Sequence, residues 1–193
     1  GAVMVPRLLG AGEPQIAPGT DRRAVLAEWL ARGDNPWFAR NVVNRTWAHM
    51  FGRGLIEPVD DARIGNPPSH PELLDALARL FVDAHFDIRA VVRAIATSAT
   101  YRAALAPAAA ERALYAGMQP RRLQAEPLLD AIAAVTLVPT KYPGVPLGGA
   151  ASELDGGRGS VRFLDAFGRP GRDSVCTCDR RDEPTLGQTL HLI

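Results

Sequence analysis

Across 193 residues the chain carries 47% hydrophobic side chains and 22 basic against 21 acidic residues, a net charge of +1. That apolar fraction supports a real core and excludes wholesale disorder, and the balanced, interspersed charge gives no electrostatic case for nucleic acid or an anionic membrane. No run of about 18 apolar residues is present to span a bilayer, and the two cysteines are too few for a disulfide scaffold. The opening Gly1-Ala-Val-Met-Val-Pro-Arg7 has neither an initiator Met nor a signal-peptide pattern, so the chain reads as a piece of a longer polypeptide.

Residues 1–19, rich in Gly and Pro, read as an extended arm. Thr20 or Asp21 caps a first helix whose apolar face is Val25, Leu26, Trp29 and Leu30, with Gly33 as its stop. Asn35 caps a second, with Pro36 at the first helical position where no amide donor is needed. Its buried stripe is Phe38, Val42, Val43, Trp47, Met50 and Phe51, and Gly52 and Gly54 end it. Residues 55–68 form a turn-rich connection. Ser69-His-Pro-Glu72 has capping-box spacing before a third helix that buries Leu73, Leu74, Leu77, Leu80 and Phe81. Asp87 starts a fourth, with Ile88, Val91, Val92 and Ile95 at helical spacing. A short helix near 107–115 and a longer one near 122–137 follow; Pro127 fits the latter only in its first turn. Beyond Pro139 the chain is Pro/Gly-rich. Lys141 to Ser160 reads as a long loop, Val161 to Leu164 as a short extended segment, and Pro184 to Ile193 as a last helix with Asp182 or Glu183 near its cap.

The predicted architecture is all-α, a single helical domain of five or six helices with an irregular C-terminal third. The arm spans 1–19, the helical body 20–138, and an extension over 139–193 packs on that body and ends in a short helix.

The densest chemistry lies between Asp34 and His70. Asp60 and Asp61 are adjacent, a pattern that binds a hard cation or offers a general base; alternatively one caps a turn and the other pairs with Arg45 or Arg63. His49 and His70 can join carboxylates in a metal or acid/base site, but no His-x-x-x-His or Glu-x-x-His spacing reinforces that, and a capping or core role competes. Asn44, Arg45 and Asn66 complete this polar set. Cys176 and Cys178, as Cys-Thr-Cys, leave three readings open: a soft-metal pair completed by His191 and an aspartate, a strained local disulfide, or two separate thiols. Arg169, Arg172, Arg180 and Arg181 suit an oxyanion clamp, or tie a loop to acids such as Glu126 and Asp130. Arg122 and Glu126, four apart, form a helix-surface pair. Trp29 and Trp47 sit in core registers, whereas Trp37, just after the helix-opening proline, is expected to be exposed.

Several motifs occur in series: Asp34-Asn-Pro-Trp-Phe-Ala-Arg40, Asn44-Arg-Thr-Trp47, Phe51-Gly-Arg-Gly-Leu55 and Asp60-Asp61, then Asn66-Pro-Pro-Ser-His-Pro-Glu-Leu-Leu-Asp75, Ser98-Ala-Thr-Tyr101, Arg121-Arg-Leu-Gln-Ala-Glu126 and Phe167-Gly-Arg-Pro-Gly-Arg172. The ordered set resembles the C-terminal domain of unknown function in large planctomycete-type secreted proteins that often carry c-type cytochrome domains. The resemblance runs from about Pro6 to the last residue. It implies a periplasmic or extracellular location and a protein partner, a c-type cytochrome or membrane-associated complex, but no reaction. The chain has no Cys-x-x-Cys-His, so it is not expected to attach haem by that motif, and no cofactor is expected. The leading expectation is a non-catalytic interaction or scaffolding module; the alternative is a hydrolase or carbohydrate-active accessory domain whose site is built from Asn44, Arg45, Asp60, Asp61, Asn66 and His70, with Asp60, Asp61 and His70 catalytic.

Overall fold

The structure, a computed structural model, describes residues 4–105, 114–119, 121–154, 161–170 and 184–191. Among them are seven α-helices, one 3-10 turn at Ala151–Glu153, and no strand beyond isolated bridges. The chain is all-α, and its residues fall into two compact units, Gly1–Pro120 and Arg121–Ile193. None of the described helices is long and apolar enough to cross a membrane.

In the first unit, Asp21 accepts a hydrogen bond from the Arg23 amide and starts α1 at Arg22–Leu30. The expected apolar face of α1 is only partly covered: Val25, Trp29 and Leu30 are half-buried, none is fully buried, and Leu26 is 46% exposed. The helix ends at Leu30, three residues short of Gly33, where the Arg32 amide bonds only three residues back, to the Trp29 carbonyl, and Asn35 Nδ2 donates to that same carbonyl. The same Asn35 carboxamide accepts from the Trp37 and Phe38 amides, so one buried side chain closes α1 and opens α2, Phe38–Phe51. Gly52, in the left-handed region at φ 80°, terminates α2 where an L side chain would be strained.

Helix α3, Pro71–Asp83, packs on α2, and α4, Ile88–Thr97, packs on both. Their shared core contains Val43, Trp47 and Phe51 from α2, Leu74, Leu77 and Phe81 from α3, and Val91 and Ile95 from α4. Leu80, expected inside, is 36% exposed, and Ile88 and Val92, at helical spacing in α4, are 39% and 40% exposed. Ser69 does not cap α3. Its hydroxyl donates to the Leu55 carbonyl, and the cap position passes to His70, which makes no side-chain cap bond. Rings stack through the core, Trp47 on Phe51 at 4.2 Å, with Tyr115 edge-on to both. The helix expected near 107–115 lies almost wholly outside the described residues; Leu114 and Tyr115 are in a turn.

In the second unit, α5 spans Ala125–Thr136 after Gln124, so Pro127 falls in its first turn, the one place it fits. Ala125 and Leu129 of α5 form a core with Tyr142, Ala151, Leu154, Leu164 and Phe167. The helix predicted near 122–137 therefore shares its core with the residues that follow it in the chain. The segment expected to be extended at 161–164 is instead α6, Arg162–Ala166, where Phe163 and Phe167, one helical turn apart, stack at 4.2 Å. The last helix, α7, is Leu186–His191; Asp182 and Glu183 lie outside the described residues.

Candidate functional site

The polar residues singled out between α2 and α3 all belong to the first unit. Asn44 lies 1% exposed in the middle of α2, facing the connection that returns after Gly52. Its Oδ1 accepts from the Ile56 amide at 2.8 Å, and its Nδ2 donates to the Ile56 and Val59 carbonyls at 3.1 Å each. A buried carboxamide with both ends engaged satisfies the Ile56 backbone groups, which water cannot reach, and ties the partly buried Val59 carbonyl as well, fixing the loop against the helix. The approach is close enough to need glycine nearby: a Cβ on Gly54 would sit 2.3 Å from the Ile56 carbonyl oxygen and 3.1 Å from the Asn44 amide.

Other side chains fasten the same connection. Glu57 accepts from the Gly54 amide, and Tyr115 donates its hydroxyl to the Gly54 carbonyl at 2.6 Å. Asn66 Nδ2 donates to the Asp61 and Glu57 carbonyls. Asp60 pairs with Arg45, and Asp61 with Arg63 at 3.2 Å. Both arginine partners considered for the aspartate pair are thus used, one for each acid. His70 places Nδ1 3.1 Å from the Ser69 hydroxyl and its ring edge-on to Tyr115. Burial pushes the Tyr115 hydroxyl pKa above its ordinary value, because the phenolate would lose its water. Among the described residues no cluster of three or more His, Cys, Asp or Glu side chains is placed to hold a metal.

A slot of about 220 Å³ lies between the amino-terminal half of α2 and residues 56–68. Trp37 and the Pro67-Pro68 pair are among its walls, Asn44 and Ile56 also line it, and Arg40, Asn41 and Arg63 supply polar lining. Ile64, another lining residue, is 96% exposed. Trp37 is half-buried rather than fully exposed. Sequence reading picked out Asn44, Asn66 and Trp37 but missed Arg40, Asn41 and Ile64. The signal for Asn41 was present, since 37, 41 and 44 share a helix face; Ile64 is an isolated apolar residue in a turn and had none.

In the second unit Arg169 approaches Glu126 at 3.8 Å with both side chains nearly buried, and Asp130 accepts from the Ala151 amide at 2.6 Å. Here the arginine and the acids hold the loops to α5. Gln188, not anticipated, repeats the Asn44 device: its Oε1 accepts from Arg122 and the Thr185 amide, and its Nε2 donates to the Ala166 carbonyl. Arg122 lies before α5, which starts at Ala125, and Glu126 is nearly buried beside Arg169, so the expected helix-surface pair of Arg122 and Glu126 is not formed on a helix; Arg122 donates to Gln188. Arg172, Cys176, Cys178, Arg180 and Arg181 lie outside the described residues.

A family model described as "Protein of unknown function (DUF1553)" matches residues 22–149, from the first residue of α1 into the loop after α5. The chain belongs to that family. No curated protein and no solved structure matches it.

Proposed function

We propose that this DUF1553 chain is a non-catalytic interaction module of an exported protein, docking on a c-type cytochrome or another membrane-associated assembly in the periplasm or outside the cell. The observation that carries the reading is the state of the polar groups between α2 and α3. Asn44, Asp60, Asp61 and Asn66, which a hydrolytic site would need poised toward a substrate, are engaged with backbone groups and arginines. A general base or nucleophile must present its reacting atom to a substrate in hydrogen-bond reach. Here the Asn44 and Asn66 carboxamides are spent on the protein's own backbone, and each aspartate is met by an arginine, although the Asp60 carboxylate is largely exposed. What the connection presents outward is the Trp37 slot with Ile64 beside it, the mixture of aromatic and aliphatic surface that anchors protein contacts. The exported setting and the cytochrome partner come from the resemblance of the motif series.

The test is crosslinking of the full chain to an envelope fraction of its source cells, with haem staining of the adducts. The reading expects a discrete haem-positive adduct. Adducts of the chain with itself alone would refute it.

A further inference from the structure

We infer that the slot beside Trp37 takes a short acidic-and-apolar peptide segment of a partner protein, an assignment that rests on the docking reading above and names what docks. Size sets the first limit. At about 220 Å³ the slot is below the several hundred cubic ångströms of a typical small-molecule site and suits one or two residues of a chain. Charge sets the second. Arg40 and Arg63 line the slot, and no acidic side chain does. Their acids, Asp75 and Asp61, stand outside the lining and meet them through Nε, at 3.0 and 3.2 Å. These pairs are partly exposed, so each is worth little and the outer guanidinium nitrogens are cheaply shared with an incoming carboxylate.

Hydrogen-bonding capacity sets the third. Among the described residues the Asn41 carboxamide has no hydrogen-bond partner, so it offers both a donor and an acceptor to a passing peptide group. Indole and proline surface with Ile64 at the rim would cover the apolar residue. A saccharide is disfavoured because most of the lining offers it no hydrogen bond.

The experiment follows the Trp37 indole N–H by NMR in the full chain during titration with acetyl-Ala-Glu-Pro-Leu-Glu-Ala-amide. Its Gln-for-Glu counterpart and N-acetylglucosamine serve as the other probes. The proposal expects saturable shifts from the acidic peptide, with binding weakened at least about threefold by the Gln peptide, by Arg63→Gln or by Ile64→Ser. Ile64 is so exposed that its substitution does not threaten folding. Equal binding of both peptides, no shift up to millimolar peptide, or a shift with the sugar alone would overturn it. The two readings fail separately. If Ile64→Ser leaves the envelope adduct intact, the slot is not the docking site although the module docks. If the acidic peptide binds as expected but no haem-positive adduct forms, the slot assignment stands and the cytochrome partner falls.

Discussion

Replacing Asn44 by Ala removes three hydrogen bonds at a residue that is 1% exposed. The Ile56 amide and carbonyl then lose their partner in a buried stretch, Ile56 itself being 6% exposed. Each unsatisfied buried group costs about 1–3 kcal/mol, while the Val59 carbonyl, only partly buried, recovers some of its loss from water. The expected destabilisation is therefore about 2–5 kcal/mol. With a urea slope of about 2 kcal/mol/M, the unfolding midpoint drops by about 1–2.5 M. Tryptophan fluorescence is the fitting assay, because Trp29, Trp37 and Trp47 all lie in the first unit. Asn44→Asp keeps the acceptor for the Ile56 amide but sets a carboxylate against two carbonyl oxygens, so at neutral pH it is expected to be at least as harmful. A midpoint shift below about 0.3 M for Asn44→Ala at unchanged slope would refute the reasoning, since the loop would then be held by something else.

Arg45→Ala should change stability by no more than about 1 kcal/mol, because the Arg45–Asp60 pair is 47% and 73% exposed; a larger loss in the same melt would mean the pair carries structure. Gln188→Ala strips partners from Arg122 and the Ala166 carbonyl in the second unit, and a loss of about 1–3 kcal/mol is expected by circular dichroism, with an unchanged midpoint counting against the network. The raised Tyr115 pKa sets a pH dependence. The folded chain holds a proton that the unfolded chain releases near pH 10, so stability is intact below that value and falls as pH rises from there through the folded pKa. Tyr115→Phe should flatten that decline in the fluorescence-detected melt while losing the bond to Gly54; an equally steep decline in the variant would contradict the assignment.

How far the sequence spoke depended on the range of the interaction. Asp21, Asn35, Gly52 and Asp87 were legible as helix ends because a cap is decided within three or four residues. The cores of α2 and α3 were legible from their periodicity. Periodicity gave the apolar face of α1 but not its depth: Val25, Trp29 and Leu30 are half-buried and Leu26 is exposed, since burial is a tertiary fact. Ser69 had the spacing of a cap, yet a carbonyl fourteen residues earlier in the chain captured its hydroxyl. The 161–164 segment, rich in β-formers, became helical once Phe163 could stack on Phe167. In the candidate site, the polar residues could be named, and so could Arg45 and Arg63 as partners for the aspartate pair. Asn44's bonds to Ile56 and Val59 could not be read, because they cross 12 and 15 residues of irregular chain. Tyr115, whose hydroxyl reaches Gly54 from 61 residues away, left no trace in any local pattern.

The most direct measurement of whether these polar groups hold a surface rather than perform chemistry is hydrogen exchange at the Ile56 amide, the proton donated to Asn44. The account predicts protection equal to the global unfolding free energy of the first unit, with the Asn44 bond opening only when the helices do. Exchange at the rate of an exposed loop amide would contradict it, and would mean that the connection moves freely over α2.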